Sequence, residues 1–111
     1  MNNKVYGDYG ESLACKYLKK QGYKILETNY KNQIGEIDII CKDKDLLVFV
    51  EVKTRSTMRF GMPREAITPH KINKIRLVAT SYMKGHDLPF RCRFDCIDIL
   101  DNEITHLKNV F

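Results

Sequence analysis

The sequence contains no Cys-x-x-Cys pair and no His/Cys cluster with zinc-ligand spacing, which excludes the common structural zinc sites. Its cysteines, Cys15, Cys41, Cys92 and Cys96, are scattered. Cys92 and Cys96 fall on one face of an expected strand, too far apart to bridge easily, so reduced and partly buried thiols are expected. No apolar run approaches the ~20 residues of a membrane helix. The opening residues Met1-Asn2-Asn3-Lys4 lack the apolar core of a signal peptide. Linkers, internal repeats and low-complexity tracts are missing too. The expectation is a cytoplasmic protein without a membrane partner.

What is present fits one small globular domain spanning residues 1–111, long enough for a single hydrophobic core but not two. Positive charge is in excess, with a formal net charge of +5 and a pI near 9.0. That balance favours polyanionic partners without identifying one.

A first helix is expected from about Lys4 to Gln21, with Tyr6, Tyr9, Leu13, Ala14, Tyr17 and Leu18 forming one apolar stripe. Lys16, Lys19 and Lys20 suit its C-terminal end, and Gly22 is placed to stop it. Tyr23 to Tyr30 has strand composition, with Tyr23, Ile25 and Glu27 alternating against Lys24, Leu26 and Thr28. A polar turn from Asn29 to Gln33 leads into the stretch on which the chain is centred. There Gly35-Glu36-Ile37-Asp38-Ile39-Ile40 and Leu46-Leu47-Val48-Phe49-Val50-Glu51-Val52-Lys53 read as two strands of a hairpin joined by a short charged connector.

The second of these strands is apolar at nearly every position until Glu51, so both of its faces are expected to be covered. Alternation puts Glu51 and Lys53 on one face after Leu47 and Phe49, with Val48, Val50 and Val52 on the other. A turn centred on Lys44-Asp45 sets Asp38 opposite Glu51; a register shifted by two residues pairs Glu36 with Glu51 instead. Two carboxylates about 5 Å apart at Cβ repel unless something positive lies between them. A hard divalent cation with oxygen ligands answers that description. The same acids and lysine also fit a solvated salt bridge worth about 0–1 kcal/mol. Glu11, in mid-helix, is either a surface glutamate or a third carboxylate brought towards Asp38 and Glu51.

From Thr54 to Arg64 the chain carries Arg55, Arg59 and Arg64 and no acid, with Gly61 and Pro63, which predicts an exposed basic loop able to hold a phosphate backbone. A second helix starts at Thr68 or Pro69 and runs to Lys84. Thr68 is its cap, Ile72, Ile75, Val78, Ala79 and Tyr82 its core stripe, and Gly85 its end. Lys71 and Lys74 sit off that stripe and add to the basic surface. His70, His86 and His106 are isolated and read as structural or solvated. Phe90 to Leu100 forms a fourth strand and Glu103 to Leu107 a short fifth. The order describes an α/β or α+β domain, a mixed sheet of four to five strands flanked by two main helices.

The ordered set Gly7-x-x-Gly10-Glu11-x-x-Ala14, Gly35-Glu36-Ile37-Asp38 and Val48-Phe49-Val50-Glu51-Val52-Lys53-x-Arg55 resembles the YraN-like family of bacterial proteins. Ile72 and Ala79 in the second helix and Arg93-Phe94-Asp95 in the late strand also fit. That family in turn resembles the PD-(D/E)XK, or restriction-endonuclease-like, nucleases, archaeal Holliday-junction resolvases in particular. Lys31 stands where an arginine is expected. The resemblance implies a restriction-endonuclease-like fold and hydrolysis of phosphodiester bonds in structured or branched DNA. It further implies Mg²⁺ or Mn²⁺ held by Asp38, Glu51 and the Val52 carbonyl, with Glu11 contributing to the metal or its waters. Lys53 would orient the attacking water. Gln33 and Glu36 would support these groups from behind, and Arg55, Arg59, Arg64, Lys71 and Lys74 would contact nucleic acid. A homodimer is expected by analogy, since two cuts across a junction want two sites. The same fold also serves proteins that bind nucleic acid without cutting it.

Overall fold

A computed structural model describes residues 3–56 and 68–110, with side chains of the first helix described from Tyr9 onward. Helix α1 spans Asn3–Lys20. It ends where Gly22 takes a φ of 91°, letting the Gly22 N–H reach the Lys19 carbonyl (3.0 Å) and the Tyr23 N–H the Leu18 carbonyl (2.9 Å). Ala14 and Leu18 are fully buried, as the stripe requires. Tyr9 is the exception. It stands half exposed, and its hydroxyl donates to Asn102 Oδ1 (3.2 Å) instead of entering the core. Tyr6 and Gly7 belong to the part of α1 whose side chains are not described.

Strands β1 (Lys24–Lys31), β2 (Glu36–Asp43), β3 (Leu46–Arg55), β4 (Cys92–Leu100) and β5 (Glu103–Leu107) form one five-stranded sheet in the order β1-β2-β3-β4-β5. Only β3 and β4 pair in parallel, and helix α2 (Pro69–Gly85) lies between them in the chain. The result is the expected mixed α+β architecture. Thr68 caps α2, its hydroxyl accepting from the Lys71 N–H (3.2 Å), with Pro69 in the first turn. The helix runs through Gly85 and is closed by His86, while Asp87 takes the positive φ of 53°.

Three local features differ from the alternation read in the sequence. A bulge between Ile25 and Glu27 reverses β1, so that Glu27 lies opposite Ile40 and not on the face of Ile25. β3 continues to Arg55, so Thr54 and Arg55 are strand residues and not the start of a loop. The rest of that expected loop, including Arg59, Gly61, Pro63 and Arg64, lies outside the described residues.

The sheet is covered on both faces. Ala14, Leu18, Tyr23, Ile39, Cys41, Val48, Val50, Ile97 and Ile99 pack on the α1 side. Ile37, Ile40, Leu47, Phe49, Ile75, Val78, Ala79, Tyr82 and Met83 pack on the α2 side. This explains the unbroken apolar run of β3, each of whose residues from Leu47 to Val50 is buried on one side or the other. None of the four cysteines is bridged.

One carboxylate is sealed within this core. Asp95 is completely buried, and every polar contact it needs is supplied. Arg93 grips it with two hydrogen bonds (Nε to Oδ1, 2.8 Å; Nη2 to Oδ2, 2.9 Å), His106 Nε2 lies 2.7 Å from Oδ2, and the Asn109 N–H donates to Oδ1 at 3.0 Å. Arg93 also donates to Tyr23 (2.7 Å) and to Asp43 (3.2 Å), and the Tyr17 hydroxyl meets His106 Nδ1 at 3.1 Å. Burial alone would raise the Asp95 pKa, but the Arg93 hydrogen bonds, the Asn109 amide and His106 outweigh it and hold the carboxyl below its ordinary value. The network ties β4 to α1, to Tyr23 just before β1, to β2, to β5 and to the residues after β5. A carboxyl held low in the folded state contributes stability that is present above its unfolded pKa and is lost as pH falls through the folded one. Asp95→Asn is therefore expected to cost about 1–3 kcal/mol, because the Arg93 guanidinium loses its fully buried anionic partner and keeps only Asp43 and Tyr23. Urea unfolding should show that loss at pH 7 and a narrowing gap from wild type as the pH drops below about 4.

Candidate functional site

The apolar run of β3 ends at Val50, and the residues that follow bring charge to the α2-facing side, where Glu51, Lys53 and Arg55 share a face by alternation. Lys53 Nζ lies 3.8 Å from Glu51 Oε1, with only 15% and 20% of the two side chains exposed. This pair is therefore mostly shielded, unlike the solvated salt bridge that the sequence left open.

The β2–β3 ladder runs from Asp43↔Leu46 to Ile39↔Val50, the register of a turn centred on Lys44-Asp45. Continued by one step, it sets Asp38 opposite Glu51 and rules out the Glu36–Glu51 alternative. At that step the backbone ladder gives way to a side chain: Asp38 Oδ2 accepts the Val52 N–H at 2.8 Å. A carboxylate thus substitutes for a carbonyl where the two strands part.

α1 completes the cluster. Its backbone lies so close to β3 that a Cβ placed on Gly10 would collide with the Thr54 hydroxyl, so only glycine permits this depth. The next residue, Glu11, shares a side-chain hydrogen bond with Asp38. Burial raises the Asp38 pKa, and the negative charge of Glu36 adds to the rise; the Val52 amide, Glu11 and Lys53 offset it only in part. Nearby on β4, the Cys96 thiol is pushed up to about 11, first by burial and then by Glu51, Asp98 and Asp38 against the opposing charge of Lys53.

The structure thus brings Glu11, Asp38, Glu51 and Lys53 together at one end of the sheet. The other assignments divide. Glu36 is exposed and pairs with Lys31 (3.7 Å), reaching Asp38 only through its field. Gln33 is exposed in the turn before β2 and is not one of the groups found around Asp38. Lys71 is half-buried and Lys74 exposed near the start of α2, while Arg59 and Arg64 lie outside the described residues. Arg55 is engaged by Asp98, a residue to which the sequence analysis gave no role. The parallel register Lys53↔Asp98 brings it there, and no local pattern in the sequence encodes a pairing across 45 residues. The Asp95 network was missed for the same reason.

Among the described residues no three His, Cys, Asp or Glu side chains form a ready-made cage for a metal ion. The oxygens that the sequence offered as donors are Glu11, Asp38, Glu51 and the Val52 carbonyl, and burial, with the charge of Glu36 adding to it, disfavours the ionised form of Asp38. That chemistry suits a hard divalent cation.

Comparison with known proteins identifies what this arrangement belongs to. The family model described as "Uncharacterised protein family UPF0102" matches residues 10–99, which includes every member of the cluster. A UPF0102 protein of Clostridioides difficile is 47% identical, with the whole of both chains covered. One from Syntrophomonas wolfei is 45% identical over 98% of this chain and 99% of its own, and one from Caldanaerobacter subterraneus 43% identical over 100% and 98%.

Two outcomes follow from the geometry. Asp38→Asn keeps an acceptor for the Val52 amide and removes the repelled charge. It should stabilise the protein by about 0.5–2 kcal/mol, as relief of conflict at a functional site does. A carboxyl raised in the folded state destabilises once pH exceeds its unfolded pKa, so thermal melts should show the gain at pH 7–8 and little of it near pH 4. Gly10→Ala should destabilise by about 1–3 kcal/mol through overpacking against Thr54, and the Glu11–Asp38 hydrogen bond should be lost with it, read as a further rise of the Asp38 pKa by carboxyl NMR.

Proposed function

We propose that this chain, which belongs to the UPF0102 family (the YraN-like family that its motifs resemble), is a divalent-metal-dependent nuclease acting on phosphodiester bonds of structured or branched DNA. The observation that carries this reading is the shielded cluster at the end of β2 and β3, where Asp38 is held by the Val52 amide (2.8 Å), bonded to Glu11 and set beside the Glu51–Lys53 pair (3.8 Å). A carboxyl group destabilised by its own fold, with a cation-seeking set of oxygens around it, is a common mark of a working site.

In this reading Asp38, Glu51 and the Val52 carbonyl hold Mg²⁺ or Mn²⁺, with Glu11 reaching the ion or its waters. The ion supplies an activated water and neutralises charge on the phosphate. Glu51 positions the Lys53 ammonium, which orients the attacking water and compensates charge that develops on the phosphoryl oxygens. Cys96, buried next to Glu51 in the β3–β4 ladder, keeps bulk water away from that side of the cluster, which strengthens each of these interactions.

The basic excess of the chain supports a polyanionic substrate. A second reading, a nucleic-acid-binding or adaptor module that kept the fold without turnover, draws on the open arrangement of the acids among the described residues. A four-way DNA junction and a matched linear duplex, incubated with Mg²⁺ or Mn²⁺, separate the two. Cleavage by wild type is expected, with Asp38→Ala and Lys53→Ala each lowering the rate by about 10²–10³-fold while junction binding persists. Binding by wild type with no cleavage in either metal would favour the adaptor, and cleavage undiminished in both variants would reject the assigned roles.

A further inference from the structure

Arg55 follows Lys53 on the same face of β3, one residue pair further from the core and roughly 6.6 Å along the strand. Its guanidinium is bidentate on Asp98, Nε to Oδ1 at 3.1 Å and Nη2 to Oδ2 at 2.6 Å. The backbone secures both partners, because Asp98 pairs with Lys53 in the parallel ladder and the Arg55 carbonyl accepts the Asp101 N–H (3.1 Å). Yet the pair is not sealed: 35% of the Arg55 side chain and 19% of Asp98 remain exposed. Arg93 makes the instructive contrast. It grips Asp95 in the same two-pronged way, but with 16% exposure, an aspartate fully buried, and Asp43 and Tyr23 as further partners.

A planar guanidinium fork fits a phosphodiester as well as it fits a carboxylate. In the free protein the Asp98 carboxylate therefore occupies the position that a phosphate oxygen pair would take. We propose that Asp98 is an internal competitor of the nucleic-acid backbone: it masks Arg55 until a phosphate beside the Asp38–Lys53 cluster displaces it. The inference rests on the nucleic-acid reading above and adds the device that sets how tightly the strand is held. Asp98 lowers affinity for any lone polyanion, and productive binding requires a strand long enough to engage Lys53 and Arg55 together. It is a specificity-determining residue and does not touch the reacting atoms.

The test is fluorescence anisotropy with a fluorescein-labelled single-stranded DNA oligonucleotide, in EDTA, across a salt series, for wild type, Asp98→Asn, Arg55→Gln and the double variant. Unmasking should tighten binding by about fivefold and steepen the slope of log affinity against log salt by about 0.7, the value of one added phosphate contact on a single strand. Both changes should vanish in the Arg55→Gln background. Unchanged affinity and slope in Asp98→Asn, with wild type binding normally, would overturn the mask and leave the nucleic-acid reading intact. Equal tightening with and without Arg55 would also overturn it, as a mere change of net charge. No binding by any of the four proteins at low salt would overturn the mask, while the junction assay above decides the nuclease reading separately. Wild type alone gives an independent check should Asp98→Asn fold poorly: the Arg55 Nε–H resonance must shift when the oligonucleotide saturates the protein, and a resonance that stays in place excludes the exchange of partners.

Discussion

The hydrogen bond from the Val52 amide to Asp38 Oδ2 (2.8 Å) is the contact on which the candidate site depends. It forms at the place where β2 and β3 stop pairing through their backbones. An ordinary ladder would have used a carbonyl there, and the Val52 N–H cannot be left bare in a half-buried position. Using a carboxylate carries a negative charge to the end of the β2–β3 ladder while the Val52 N–H stays satisfied. The hairpin register fixes its partner strand, and the double burial of β3 fixes the strand's height between the helices. Glu51 and Lys53 then have one direction left in which to emerge.

Parallel pairing adds a second layer to this arrangement. Because α2 crosses over between β3 and β4, Cys96 and Asp98 come alongside Glu51 and Lys53 in step. A row of alternating charge results, Glu51 to Lys53 on one strand and Arg55 to Asp98 across two. In such a row each cation already has an acid, so what binds there must exchange partners, not simply add to an exposed basic patch. The affinity that net charge alone implies is tempered accordingly.

The parts of this fold that were legible in the sequence are those set by local chemistry. The charged turn at Lys44-Asp45 determined the register of the central hairpin, and the apolar spacing of both helices gave their buried faces. Tyr9 misled because a tyrosine at helical spacing serves equally as a surface hydrogen-bond donor, here to Asn102. The bulge at Ile25–Glu27 left no mark in residue type, since Leu26 is at home on either face. Asp95 and Asp98 were invisible for a topological reason. Asp95 is held by Arg93, His106 and Asn109, with Tyr23 and Asp43 gripping Arg93 in turn, and Asp98 is held by Arg55. Only the β3–β4 register and the return of β5 bring them together.

The fully buried Asp95 and the half-buried Asp38, compared with each other, are the strongest physical argument for reading Asp38 as part of a working site. Asp95 shows that the fold can bury a carboxylate completely and leave it content: four hydrogen bonds, two from an arginine, hold its pKa down. Asp38 lies in the same sheet, less deeply buried, and its pKa moves the other way, because burial and the charge of Glu36 outweigh the Val52 amide, Glu11 and Lys53. The difference is one of partners. Arg93 forks directly onto Asp95, whereas the cation nearest Asp38 is bonded to Glu51, and an acid fills the position at its side. A fold that supplies full compensation at one carboxylate and withholds it at another keeps a standing attraction for positive charge at the second. The deficit lies where β2 and β3 part, beside the Glu51–Lys53 pair.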